Sequence, residues 1–291
     1  MTGIICIDKP KDITSFVAVA KVRRILSEKK AGHAGTLDPM ATGVLPIFLG
    51  GATRFIELLP DHTKGYRADI KLGITTDTLD ITGNVLKRTK ADIKKEELAE
   101  AINSFCGDIM QTPPMYSAIQ KDGVRLYELA RKGIEIEREK RAVTISKIDL
   151  LGFDGENFTI DVVCSKGTYI RSLADDIGKK LGCGAVLTNL RRTIAAGFSL
   201  EESITIEELE KRKENPPLIS VDEALKEYPK TEVTPKQAIR FSNGGELDLD
   251  RVKCEKKNGL FRVWGDGRFL GMGEADTQKG ILKVKKVYME V

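Results

Sequence analysis

The segment Ala31-Gly-His-Ala-Gly-Thr-Leu-Asp-Pro-Met-Ala-Thr-Gly-Val-Leu-Pro46 sets one carboxylate, Asp38, among three glycines and two prolines. His33, one of only two histidines in the chain, stands five residues before it. Glycine opens positive φ and lets a ligand approach the main chain closely, and Pro39 fixes φ just after the aspartate. Such a backbone can hold a carboxylate rigidly at the edge of a cleft, as catalysis requires. The same residues also suit a tight structural turn in which Asp38 bonds its own backbone. The loop by itself leaves both readings open.

The rest of the sequence narrows the chemistry. No G-x-x-x-x-G-K-[ST] loop is present, and Gly265-Asp-Gly-Arg-Phe-Leu-Gly271 has the wrong spacing and no following helix for a dinucleotide fingerprint. Asp77 and Asp80 lack the spacing of a calcium loop, and there is no G-x-S-x-G elbow. The five cysteines, Cys6, Cys106, Cys164, Cys183 and Cys254, form no C-x-x-C pair. With His33 and His62 scattered, they predict reduced thiols in a cytoplasmic protein and no bound zinc. Any reaction must then run on carboxylate, tyrosine, arginine and backbone, without metal or organic cofactor.

Two further residues fit that set. Arg171 falls in the first turn of the helix expected after Lys166-Gly-Thr168, where the helix dipole repels a cation. A residue placed against a local rule suggests an anionic partner, either a phosphate or Asp38; an arginine swung out to solvent is the plain alternative. Tyr66 begins the alternating run Tyr66 to Leu72 and reads either as a core tyrosine or as a ring set to stack on a base. His33, with little beside it to pack, reads as an exposed histidine on a glycine loop, and His62 as a plain loop residue.

The elements that must position these residues are legible in outline. A first strand ends at Asp8, and residues 15–27 form a helix with Val19, Val22 and Leu26 on one face. Leu45–Leu49 is a buried strand. Tyr66–Leu72 and Phe158–Cys164 alternate as half-buried strands. Residues 93–105 are helical, and Ile170, Leu173, Ala174, Ile177 and Leu181 share a helix face. Residues 201–227 are acidic and helical in pattern, broken at Asn215-Pro-Pro217. Beyond Tyr228-Pro229 short strands follow, with a hairpin at Gly265-Asp-Gly267 and a last strand over 281–288. Strands and helices mix without strict alternation, predicting an α+β main domain over 1–229 and a small β-rich domain over 230–291.

Of 291 residues, 41% are hydrophobic and 31% charged, as in globular proteins. No apolar run reaches the roughly 20 residues of a membrane helix, and the N-terminus lacks the features of a secretory signal. Residues 1–229 carry 34 basic and 34 acidic side chains, whereas 230–291 carry 13 and 9. The whole net charge of +4 therefore sits in the tail, which points weakly toward phosphates and equally to an ordinary solvated surface.

The segment from Gly32 to Pro46 resembles the catalytic motif of the TruB family of tRNA pseudouridine synthases. Asp8-Lys-Pro10 with Thr14-Ser15, Lys64-Gly-Tyr66, Thr76-Asp-Thr-Leu-Asp80 with Gly83, Thr112-Pro-Pro-Met-Tyr-Ser-Ala118, Lys166-Gly-Thr-Tyr-Ile-Arg171 and Leu190-Arg-Arg192 follow the family's order. The resemblance runs from residue 4 to about 200, and the tail resembles a PUA domain. It implies the pseudouridine-synthase fold, a mixed, largely antiparallel sheet flanked by helices, with a PUA-like barrel at the C-terminus.

The activity implied is isomerisation of uridine-55 in the T loop of tRNA, which must be flipped out of its stack to react. Asp38 would be the essential carboxylate: such a group can attack a sugar centre, stabilise positive charge there or remove a sugar proton. By the same resemblance Tyr66 stacks on the flipped uracil, Tyr169 and Leu190 line its pocket, His33 fills the space the base leaves, and Arg171 pairs with Asp38. Lys9 and Asp80 join the substrate-binding residues. Residues 112–140 resemble an insertion that closes over the T arm, with Lys121, Arg125, Arg131 and Lys132 as phosphate contacts. The tail would hold the acceptor stem.

Two positions depart from the family pattern, Asp12 in place of glycine and Gln120 in place of lysine. The first affects a turn and the second a local phosphate contact. The long basic extensions of guide-dependent relatives are absent, which implies the stand-alone bacterial type with no guide RNA; no exposed apolar helix suggests a protein partner, so a monomer is expected, and no apolar run suggests a membrane. The rival readings are a tRNA-folding chaperone using the same cleft, an RNA glycosylase or nuclease, and an aspartyl-phosphate transferase. The last needs a metal site that the sequence does not offer.

Overall fold

The computed structural model describes residues 1–253, 255 and 257–289; Cys254 lies outside the described residues. The chain forms two compact units. The first comprises Met1–Pro39, Val44–Asp61 and Ala195–Val291, the second Met40–Gly43 and His62–Ile194.

In the first unit, period-two alternation divides the strands between two cores. Ile5 and Ile7 of the strand Gly3–Lys9, with Leu45, Ile47 and Leu49 of the strand Thr42–Leu49, pack on Val19, Val22 and Leu26 of the helix Ser15–Ile25. Ile4, Cys6, Val44 and Phe48 face the other way, onto Phe55, Leu58, Val221 and Leu225. Both faces are covered, so these strands read as unbroken apolar runs rather than as alternating ones. The helix starts where Thr14 accepts the Val17 N–H, a capping bond that satisfies one orphan donor of its first turn.

The stretch 201–227 departs from the sequence reading. Only Ile206–Lys211 and Val221–Ala224 are helical. Ser203–Ile204 instead adds a strand parallel to Gly3–Lys9, and Ile219 bridges to Ile4. Main-chain pairing with a buried strand overrides local helix preference here.

The tail strands Lys230–Glu232, Gly259–Gly265, Arg268–Asp276, Ile281–Val287 and Leu247–Asp248 make one five-stranded sheet in that order. They close on a core of Phe241, Phe261, Val263 and Leu282. The hairpin turns through Asp266 and Gly267, at φ 50° and 72°, the two positive values that a two-residue type I′ turn requires. Phe269 and Tyr288 lie 6.1 and 6.2 Å from the Phe55 ring, and Asp222 accepts from both Arg262 and Trp264.

In the second unit the strands run Ala185–Ala195, Lys64–Leu72, Asn157–Cys164, Arg141–Phe153, Gly107–Gln111 across the sheet, the last four antiparallel. Thr42 and Gly43 pair in parallel with Arg191 and Arg192. The helix Ile170–Lys180 buries Ile170, Leu173, Ala174 and Ile177, as its periodicity predicts. The fold is therefore α+β with a mixed, mainly antiparallel sheet. No helix among the described residues is long and apolar enough to cross a membrane.

Gly43 has φ +102°, and a Cβ built there would lie 2.1 Å from the Arg192 carbonyl oxygen. Gly155 has nearly the same φ, +104°, with nothing within 4 Å. Gly155→Ala is expected to cost about 1–2 kcal/mol, the backbone strain alone. Gly43→Ala adds a main-chain clash and is expected to lose more than about 3 kcal/mol. Urea denaturation of the two variants compares them directly.

Candidate active site

The loop bearing Asp38 is fixed on both sides of that residue. The short strand Ala31–His33 pairs antiparallel with Ile47–Leu49, and the Ala34 N–H donates to the Pro46 carbonyl. Leu37 is buried, and Ser15 Oγ both accepts its N–H at 2.8 Å and donates to its carbonyl at 3.1 Å. On the other side, the Pro39 carbonyl accepts from the Asp12 N–H at 2.8 Å and from Lys9 Nζ at 3.3 Å. The Lys9 ammonium also donates to the carbonyls of Pro10 and Ile13 at 2.8 and 2.7 Å. Asp38, half-buried, is thus carried between two anchored peptide groups.

Two expectations change here. Lys9, grouped above with the substrate-binding residues, is 0% exposed and faces main-chain carbonyls. It holds the loop, since a buried ammonium must find acceptors. His33 is half-buried at the end of a strand, with Nδ1 shut off from solvent, and is not an exposed loop histidine. Strand pairing with Ile47 explains the difference, because a three-residue strand with glycine at its centre leaves little sequence signal. Asp12 has φ 66°, a left-handed turn that glycine adopts without cost and aspartate tolerates.

In the second unit, Tyr66 sits on the buried face of its strand, opposite Val162. Its hydroxyl bonds the guanidinium of Arg192, which is fully buried; burial pulls that guanidinium below its ordinary pKa, and the Tyr66 contact opposes the shift. Lys64 lies two residues before Tyr66 and on the same face. Burial, and then the neighbouring charge of Arg192, push its ammonium below the usual lysine value.

Arg171 occupies the first turn of its helix, as expected, and is 5% exposed. It donates to the Tyr116 carbonyl at 2.7 Å and to the Thr78 carbonyl at 3.2 Å, and Nη1 stands 3.9 Å from Asp80 Oδ2. Asp80 is itself buried; its Oδ1 accepts from the Thr78 hydroxyl, the Thr82 N–H and the Thr82 hydroxyl. Asp80 therefore faces Arg171 and its own threonines, rather than standing out as a substrate contact. Leu190 is buried on the strand Ala185–Ala195, and Tyr169, half-buried, is the N-cap of the Arg171 helix.

Residues 112–140 carry a small hairpin, Gln120–Lys121 with Val124–Arg125, and the helix Leu126–Arg131. Lys121, Arg125, Arg131, Lys132 and Gln120 are exposed, and the guanidiniums of Arg125 and Arg131 lie 5.9 and 5.4 Å from the Tyr127 ring centre. No group of three or more His, Cys, Asp or Glu among the described residues is arranged to hold a metal ion.

Comparison with known proteins follows the same segments. A family model described as TruB family pseudouridylate synthase, N terminal domain, matches residues 23–170. Models described as tRNA pseudouridylate synthase B C-terminal domain and as Pseudouridine synthase II TruB, C-terminal, match 171–226 and 229–287. The tRNA pseudouridine synthase B of Azoarcus sp. is 47% identical over 98% of this chain and 94% of its own. That of Clostridium perfringens strain 13 is 46% identical over the whole of both. Among solved structures, a Cbf5-Nop10-Gar1 complex aligns at TM-score 0.76 and 28% identity, covering 99% of this chain and 85% of that one. An H/ACA RNP bound to a substrate RNA containing 2′-deoxyuridine aligns at 0.75 and 26%, with the same coverage.

Two variants test the electrostatics. Asp80→Asn removes the carboxylate charge that faces Arg171 and weakens the acceptor of the Thr78 and Thr82 donors, and is expected to lose about 1–3 kcal/mol in urea denaturation. Lys64 has a folded-state pKa below its unfolded one, so the unfolded chain binds more protons between the two values and stability rises with pH across that window. Lys64→Met is accordingly expected to be more stable than the parent at neutral pH. Its advantage should fade toward about pH 10.4, the unfolded lysine value.

Proposed function

The chain belongs to the TruB family of pseudouridine synthases, and on that premise we propose that it converts uridine-55 in the T loop of tRNA to pseudouridine. The observation that carries this reading is identity of nearly half, over the full length, with relatives named tRNA pseudouridine synthase B. The anchored carboxylate supports it. The N1–C1′ bond breaks, C5 joins C1′, the C5 hydrogen leaves as a proton and N1 gains one. Bonds are exchanged within a single nucleotide, so neither a redox partner nor a transferred group is needed.

Asp38 is the essential carboxylate of that exchange. Its fixed peptide flanks keep it in place without the reorganisation a mobile loop would need. Arg171 and Tyr66 complete the catalytic set, Arg171 as the site's positive charge and Tyr66 as the ring stacked on the flipped uracil. Tyr169 and Leu190 line the pocket of the base, and His33 takes the space it vacates. Lys9 and Asp80 act from beneath, through the loop and through Arg171. The exposed Lys121, Arg125, Arg131 and Lys132 contact T-arm phosphates, which position the RNA without reading its sequence. Lys236, Arg240 and Arg251 line a groove in the tail and meet the acceptor stem. The domain division at 229/230, action as a monomer without guide RNA, and a cytoplasmic location belong to the same reading.

The test is release of tritium from an unmodified tRNA transcript labelled at uracil C5, incubated with the purified protein without added metal or nucleotide. One equivalent per tRNA is expected, and none from Asp38→Asn, which keeps shape and removes charge. Tight tRNA binding with no release from the parent protein overturns the enzymatic reading in favour of a tRNA-folding chaperone. Free uracil or a cut strand makes it a glycosylase or a nuclease.

A further inference from the structure

Gln111 ends the strand Gly107–Gln111 and is 1% exposed. Its side-chain amide lies along the main chain of Tyr169. Oε1 accepts the Tyr169 N–H at 2.7 Å, and Nε2 donates to the Tyr169 carbonyl at 3.1 Å. A peptide N–H and C=O together fix which end of the amide faces which, so only one orientation satisfies both bonds. The glutamine side chain thus takes the part of one residue in a β-ladder.

Tyr169 is the N-cap of the helix Ile170–Lys180, and no side-chain capping bond is made there. The stitching continues on both sides. Ser172 Oγ donates to the Thr112 carbonyl at 2.9 Å, and Arg171 Nη2 to the Tyr116 carbonyl at 2.7 Å. Segment 111–116 therefore holds residues 169, 171 and 172, the whole entry of the helix. A cation in that turn is opposed by the helix dipole, so Arg171 depends on the Tyr116 carbonyl of this segment, on Thr78 and Asp80, and on the placement of its own backbone.

We infer that Gln111 is a positioning residue for the isomerisation: by pairing with the main chain of Tyr169 it sets the directions from which Tyr169 and Arg171 reach the substrate. This rests on the roles given to Tyr169 and Arg171 in the reading above. Gln111 is buried and works only through the helix entry. The loss it prevents is misplacement, where shifts near 1 Å cost on the order of a hundredfold in rate.

Two variants, each in the full-length protein, test it on the unmodified tRNA transcript tritiated at uracil C5. The readouts are single-turnover release with enzyme in saturating excess over RNA, the Kd for the RNA, and the folded fraction from thermal melting. Gln111→Met keeps the volume and removes both bonds; release should slow by about tenfold or more with Kd unchanged. Gln111→Glu offers the same donor and acceptor when protonated and loses the donor when ionised, and burial raises its pKa. Its rate should approach the parent's at mildly acidic pH and fall away from it as pH rises, a limb absent from the parent profile. Parent-like rates in both variants at every pH, or losses that only track the folded fraction, overturn the inference while leaving the functional reading intact. A parent protein that releases no tritium overturns both.

Discussion

The ammonium of Lys9, closed off from water and held by the carbonyls of Pro10, Ile13 and Pro39, is the contact on which the Asp38 loop depends. A buried charge without acceptors is untenable, so the lysine forces three peptide groups from two separate stretches to converge. Ser15 does the same from the other side with a single hydroxyl that gives and receives at Leu37. A segment rich in glycine and proline has little reason to adopt one conformation by itself. Its order comes from the strand and helix that precede it, Gly3–Lys9 and Ser15–Ile25, both seated on the apolar core of the first unit.

The second unit uses the same device with other partners. Arg171 is met by two carbonyls and a facing carboxylate, and Arg192 by a tyrosine hydroxyl. The Arg192 guanidinium is buried where desolvation penalises it, and the Lys64 ammonium beside it meets the same penalty. Groups held ionised against burial are costly for folding and cluster where chemistry is done. Arg192, bonded to the Tyr66 hydroxyl, and Lys64 form such a pair beneath the face of the Tyr66 strand.

What the sequence made legible, and what it did not, divides by range. The alternation of Tyr66 to Leu72, the face shared by Ile170, Leu173, Ala174 and Ile177, and the Asp266-Gly267 turn are signals between near neighbours, and each is realised in the fold. Asp38 stood out through its loop and through the exclusion of metal and cofactor chemistry. Arg171 stood out by breaking the dipole rule. The tasks of Lys9, Ser15, Asp80 and Gln111 depend on Pro39, Leu37, Arg171 and Tyr169, each far along the chain, and leave no periodic trace. Residues 201–227 misled for the same reason: their pattern is helical, but Ser203 and Ile219 are claimed by the strand Gly3–Lys9.

The two anchors beside Asp38 grip main-chain atoms of Leu37 and Pro39. The identity of the side chain between them plays no part in those bonds. These two anchors are therefore indifferent to which side chain residue 38 carries. A thiol, an amide or a non-natural nucleophile placed at residue 38 would still sit between the same two main-chain anchors. The loop is a ready mount for covalent capture of nucleic acids or for chemistry that the native group does not perform.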